Sequence, residues 1–113
     1  MGVSKIISDV KSAGNGLPNG YELKQNYPNP FNPSTTISFT IPKQEVVALK
    51  VYDILGRLVT TLVNEEKSAG TYKVEFTTNH RPPTTNLQLS SGVYFYQLKA
   101  GILMQTKKMM LLK

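Results

Sequence analysis

The sequence predicts an all-β domain, an antiparallel β-sandwich of about seven strands in two sheets. Three observations predict it. Apolar residues alternate with polar ones in short runs, the period of a half-buried strand. The runs recur about every 10–15 residues and are rich in β-branched and aromatic side chains. Gly, Pro and Asn stand between them as turn formers. The 113 residues make one domain, and a chain of that size hides roughly two thirds of its unfolded surface, enough for a single core. With no Cys there is neither a disulfide framework nor a thiolate metal site.

Residues 1–20 end in Ser12-Ala13-Gly14-Asn15-Gly16-Leu17-Pro18-Asn19-Gly20 and read as a flexible linker or an added segment, with the domain proper over 21–113. A short strand is expected near Tyr21–Lys24. Asn26-Tyr27-Pro28-Asn29-Pro30-Phe31-Asn32-Pro33 follows, with three prolines in six residues. Each lacks an N–H and holds its predecessor extended, so helix is forbidden and a stiff loop results. Asn29 and Asn32 are expected to close turns on their own backbone, with Tyr27 and Phe31 anchoring the loop on the core edge.

Thr36–Ile41 alternates strictly and stops at Pro42. Val46–Tyr52 puts Val47, Leu49 and Val51 on one face. Asp53-Ile54-Leu55-Gly56 is a hairpin turn, since Asp caps free N–H groups and Gly supplies positive φ. Arg57–Val63 is the next strand, and Asn64–Gly70 a polar connection. Thr71–Phe76 turns Tyr72, Val74 and Phe76 inward. Residues 77–90 form a long polar loop containing Pro82-Pro83. Val93–Ala100 places Tyr94 and Tyr96 on one face and Val93 and Phe95 on the other. Gly101 turns the chain into a last strand, Ile102–Leu112.

Thirteen basic residues stand against seven acidic ones, a net charge of +6. Such a balance favours acidic partners, but the bases are scattered and no aromatic platform is interleaved with them, so nucleic-acid binding is not expected. No apolar run reaches the ~20 residues of a membrane helix. Residues 1–16 lack the ~7–15-residue apolar stretch of a secretory signal, so an export signal would belong to a longer chain of which this is the tail. Catalysis is not expected either. The single His is His80, in a polar loop, and there is no G-x-S-x-G elbow, P-loop, dinucleotide fingerprint or metal-spaced cluster. Glu65 and Glu66 are adjacent in a connection and read as solvated. No cofactor and no metal is implied.

Asn26-Tyr27-Pro28-Asn29-Pro30-Phe31-Asn32-Pro33-Ser34-Thr35-Thr36-Ile37 resembles the opening of the type A C-terminal sorting domain of the type IX (Por) secretion system. Leu49-Lys50-Val51-Tyr52-Asp53-Ile54-Leu55-Gly56-Arg57 is similar to its central strand and turn. Ala69-Gly70-Thr71-Tyr72, Leu89-Ser90-Ser91-Gly92-Val93-Tyr94-Phe95-Tyr96 and the closing Thr106-Lys107-Lys108-Met109 follow in the family's order. The resemblance runs from about Leu23 to Lys113. It implies a seven-stranded immunoglobulin-like fold and a non-catalytic secretion signal at the end of a cargo protein. The implied partners are the N-terminal cargo, the outer-membrane translocon and a sortase. The implied destination is the cell surface of a Gram-negative bacterium, or the medium, after transit of the periplasm. Cleavage by the sortase would fall around Ser12 to Gly20. Positions that match the family's signature are Pro28, Asn29, Pro30, Asp53, Gly56, Arg57, Gly70, Gly92, Tyr94, Lys107 and Lys108. The segment His80–Gln88 is longer than the family's usual loop. An unpaired edge strand would also support dimers. The rival reading is a structural or carbohydrate-binding accessory module that uses exposed aromatics.

Overall fold

The computed structural model describes residues 20–78 and 89–113. Within them the chain forms β1 (Glu22–Leu23), β2 (Ser34–Ile41), β3 (Glu45–Tyr52), β4 (Leu58–Lys67), β5 (Gly70–Thr77), β6 (Gly92–Ala100) and β7 (Leu103–Leu111). One sheet has the order β1-β2-β5 and the other β4-β3-β6-β7. All pairings between named strands are antiparallel. Residues 1–19, which hold most of the expected linker, and 79–88, most of the long loop with His80, lie outside the described residues.

Alternation fills the space between the sheets. Ile37, Phe39 and Ile41 of β2 face Val47, Leu49 and Val51 of β3 and Tyr94, Tyr96 and Leu98 of β6, all buried. Tyr72 and Val74 of β5 are half-buried against the same core, and Phe76 is buried. Phe39 and Tyr72, directly paired across β2 and β5, stack with ring centroids 5.4 Å apart.

The topology is that of an immunoglobulin-like sandwich in which the fourth strand lies beside β3, not beside β5. β6 carries a hallmark of that fold. The Tyr94 hydroxyl donates to the Ser90 carbonyl, 2.8 Å away, as a tyrosine corner does at the start of the equivalent strand. Two residues on, where antibody domains carry the second cysteine of their inter-sheet disulfide, stands Tyr96. It is fully buried. Its hydroxyl crosses to the other sheet, donates to the Lys24 carbonyl at 2.7 Å and accepts the Asn26 N–H at 2.9 Å.

That contact explains an element that departs from expectation. Glu22, Leu23 and Lys24 pair with Thr40, Phe39 and Ser38, but the next bridge is Tyr27 with Thr36. One extra residue is inserted between them, a β-bulge. Asn26 is thereby drawn inward and is 2% exposed. Its amide nitrogen donates to Thr35 Oγ1 at 2.9 Å and to the Pro28 carbonyl at 3.1 Å. Tyr27, expected to anchor the loop, is turned outward and is 80% exposed. Phe31 alone performs the anchoring. It is buried, with an edge-to-face contact of 5.9 Å to Phe76. The X-Pro bonds preceding Pro28, Pro30 and Pro33 are all cis.

Two boundaries also move. Asn64–Lys67, expected in a connection, continue β4 and pair with Glu45–Ala48. Their charges suit an edge strand, where Glu and Lys discourage pairing with another chain. Ile102 lies in the turn before β7, fully exposed.

Tyr96→Phe keeps the core filled but leaves the Asn26 N–H and the Lys24 carbonyl without partners. We expect a loss of about 1–3 kcal/mol in urea unfolding, the usual penalty for orphaned buried groups. Burial also pushes the Tyr96 phenol up to about 12 from an ordinary 10.0. Because the folded value is the higher one, the stabilisation is complete below pH 10 and drains away as pH rises toward about 12. The stability gap between wild type and Tyr96→Phe should therefore narrow across that window.

Candidate functional site

The β3–β4 turn is built by Asp53. Its Oδ1 accepts the N–H groups of Leu55 and Arg57, each at 2.9 Å, and its Oδ2 accepts Arg57 Nε at 2.8 Å. The Asp53 carbonyl accepts the Gly56 N–H, and Gly56 sits at φ +85°, a conformation that a β-carbon disfavours. The Arg57 backbone N–H above all, with its guanidinium and the Leu55 N–H, holds the Asp53 carboxyl below the usual carboxylate range. Ile54 and Leu55 at the tip are exposed. A cleft of about 370 Å³ separates this turn from Leu89–Tyr94, and Asp53, Arg57, Gly92 and Tyr94 all line it.

The start of β6 repeats a device used at the start of β5. Ser68-Ala69-Gly70-Thr71-Tyr72 and Ser90-Ser91-Gly92-Val93-Tyr94 share the pattern Ser-x-Gly-x-Tyr. In each the Tyr hydroxyl donates to the carbonyl of the Ser four residues back, at 2.7 and 2.8 Å. In each the Gly has φ near +150°, namely +154° and +146°. The glycine folds the chain over so that the tyrosine can reach its own upstream backbone. The repeat is readable in the sequence once the two strand starts are laid side by side.

The Asn29 side chain does not close a turn on its own backbone as expected. Asn29 Oδ1 accepts the Met110 N–H of β7 at 3.0 Å. The Phe31 N–H donates to the Met110 carbonyl and the Leu112 N–H to the Phe31 carbonyl, at 2.9 and 3.0 Å. Gln25 Nε2 reaches the Lys108 carbonyl at 2.7 Å. The loop is thus a cap on the outer edge of the last strand. Backbone groups along an antiparallel edge point outward at every second residue. Those of Met110 and Leu112 are covered, whereas those of Met104 and Thr106 are left open by the described residues.

These contacts gather most of the signature positions at one end of the sandwich. Leu111 lies between Gly92 and Phe31, so the loop with Pro28, Asn29 and Pro30 sits across β7 from the Gly92–Tyr94 corner. Asp53 and Arg57 adjoin the same corner through the cleft, with Gly56 between them in the turn. Lys108 is one step further in, opposite Phe95 and exposed, while Lys107 lies opposite Tyr96 and is half-buried. Gly70 stands apart at the far end, paired with Ile41. Asn26, Gln25, Thr35 and Tyr96, which hold the arrangement together, were not singled out by the sequence, because the contacts that join them to the rest of the sandwich, Asn26 with Tyr96 and Gln25 with Lys108, span 70 and 83 residues of chain. Among the described residues no group of three or more His, Cys, Asp or Glu side chains converges to hold a metal. No helix there is long and apolar enough to cross a membrane.

Because the folded Asp53 value is the depressed one, its contribution is present above the ordinary aspartate pKa of 3.8 and lost as pH falls through the folded value. Asp53→Asn should lower the melting temperature at pH 7. The difference from wild type should close as pH falls below that value, in a thermal unfolding series.

Two comparisons with known proteins bear on what such an end is for. A search of curated proteins finds no match to the chain. A scan against protein families matches residues 25–112 to the family described as "Secretion system C-terminal sorting domain". The match begins at the residue that bridges to β7 and ends one residue beyond that strand, so it takes in the loop, both tyrosine corners, the Asp53 turn and the terminal hairpin. On that span, which is most of the protein, the chain belongs to the family of C-terminal sorting domains of the type IX secretion system.

Proposed function

We propose that this domain carries an attached N-terminal cargo through the outer-membrane translocon of the type IX system and delivers it to cell-surface anchoring. Membership of the family indicates a sorting signal, and such domains are in general not catalytic. What supports the finer reading is the convergence of the proline-rich loop, the Asp53 turn and the last strand at one end of a rigid sandwich. The recognition surface is then a set of backbone and loop positions: Pro28, Asn29, Pro30, Asp53, Gly56, Arg57, Gly92, Tyr94, Lys107 and Lys108. Gly70 shapes the far corner. A partial edge on β7 suits strand addition by a partner. A sortase would then cut upstream, within residues 12–20.

The test is to fuse the whole chain, residues 1–113, to a passive reporter with an export signal, in a Gram-negative host that has the system. Reporter at the surface or in the medium is the expected result, and reporter held in the periplasm would contradict it. Lys108→Glu changes an exposed charge on β7 and should reduce export several-fold while leaving circular dichroism and melting unchanged. A bulky tag after Lys113 should block export for the same reason, whereas an accessory sugar-binding module would tolerate both changes.

A further inference from the structure

The bulge that buries Asn26 aims Tyr27 at solvent on the outer face of the three-stranded sheet. Every other aromatic ring among the described residues is buried or half-buried, whereas Tyr27 is 80% exposed and has no packing role. It is not alone there. Tyr27 is bridged to Thr36, and the Lys24 N–H donates to Ser38, itself opposite Lys73. Lys24, Gln25, Tyr27, Thr36, Ser38 and Lys73 line one shallow cleft of about 340 Å³. β-Bulges recur where a strand must re-aim a side chain beside a functional site.

We propose that this cleft is a saccharide site, one that takes a largely neutral sugar chain bearing isolated carboxylates. The reading is independent of secretion. The electron-rich face of a tyrosine ring attracts the C–H side of a pyranose. The hydroxyls of Thr36 and Ser38 both donate and accept, as sugar hydroxyls do. The ammonium groups of Lys24 and Lys73 make no ion pair among the described residues, so a ligand carboxylate meets two unengaged donors. Glu22 and Glu75 occupy the same outer face, Glu22 opposite Thr40 and Glu75 opposite Thr36. They flank the lysines and repel a densely charged chain. A nucleic acid, with a phosphate at every residue, is disfavoured by that arrangement, while a carboxylate on one sugar in several fits between them.

The experiment uses the full chain and a xylotetraose carrying one glucuronic acid branch, followed by amide chemical shifts and calorimetry. Saturable shifts centred on Tyr27, Thr36 and Ser38 are expected. Tyr27→Ala should weaken binding about tenfold or more, an ordinary consequence of losing a stacking platform. Tyr27→Phe should retain it. Lys73→Ala should weaken the acidic sugar but not unbranched xylotetraose, which should itself bind about tenfold less tightly. Tyr27 projects into solvent, so its variants should fold as the wild type does. If Tyr27→Ala nevertheless fails to fold, the Tyr27→Phe and Lys73→Ala results decide. Absence of saturable shifts, equal affinity of Tyr27→Ala, or tighter binding of a thymidine oligonucleotide would each overturn the proposal.

Discussion

The hydroxyl of Tyr96 ties the two sheets together, and the arrangement of the rest follows from it. A sandwich without disulfides holds its layers by packing alone unless something polar crosses the core. Here one phenol, wholly buried, serves two backbone groups of the opposite sheet. A buried hydroxyl left unpaired would cost free energy, so the segment Lys24–Asn26 must come to it. Coming to it forces the bulge, and the bulge sends Asn26 in and Tyr27 out. Asn26 then fixes Pro28 and Thr35, which sets the path of the proline-rich loop. The loop in turn reaches β7.

The consequence is rigidity at the end of the molecule where the proline-rich loop, the Asp53 turn and the last strand meet. A secretion address that is read as a folded shape needs its loops to hold one position relative to its last strand. Three hydrogen bonds join the loop's Asn29 and Phe31 to Met110 and Leu112. The side chains of Asp53 and Tyr94 each close a local turn onto its own backbone. None of these contacts requires a reactive group, and each removes freedom that a binding partner would otherwise have to remove. The same loop leaves only part of the β7 edge open, which limits where another strand can add.

Strand positions, the Asp53 turn and the two-sheet architecture were legible in the sequence because their signals are local. A period of two, a Pro, or an Asp three residues before a Gly acts on its own neighbourhood. Asn64–Lys67 were misread because polar residues on an edge strand resemble a connection. The Asn26–Tyr27 inversion was not legible. A one-residue insertion exchanges the faces of everything after it, and the cause of the insertion, Tyr96, lies 70 residues away. The Ser-x-Gly-x-Tyr corners are legible only as a pair, since alone the first resembles the end of a connection and the second the start of an aromatic strand.

Native-state hydrogen exchange tests the central claim most directly. If Tyr96 and the loop it positions belong to the core, the amides of Asn26, Phe31, Met110 and Leu112 open only when the whole domain unfolds. Their opening free energies should then match those of Leu49 and Leu98 at the centre of the sandwich. Exchange of those four amides well ahead of the core would show a loop that moves independently of the sheets, and would contradict the account.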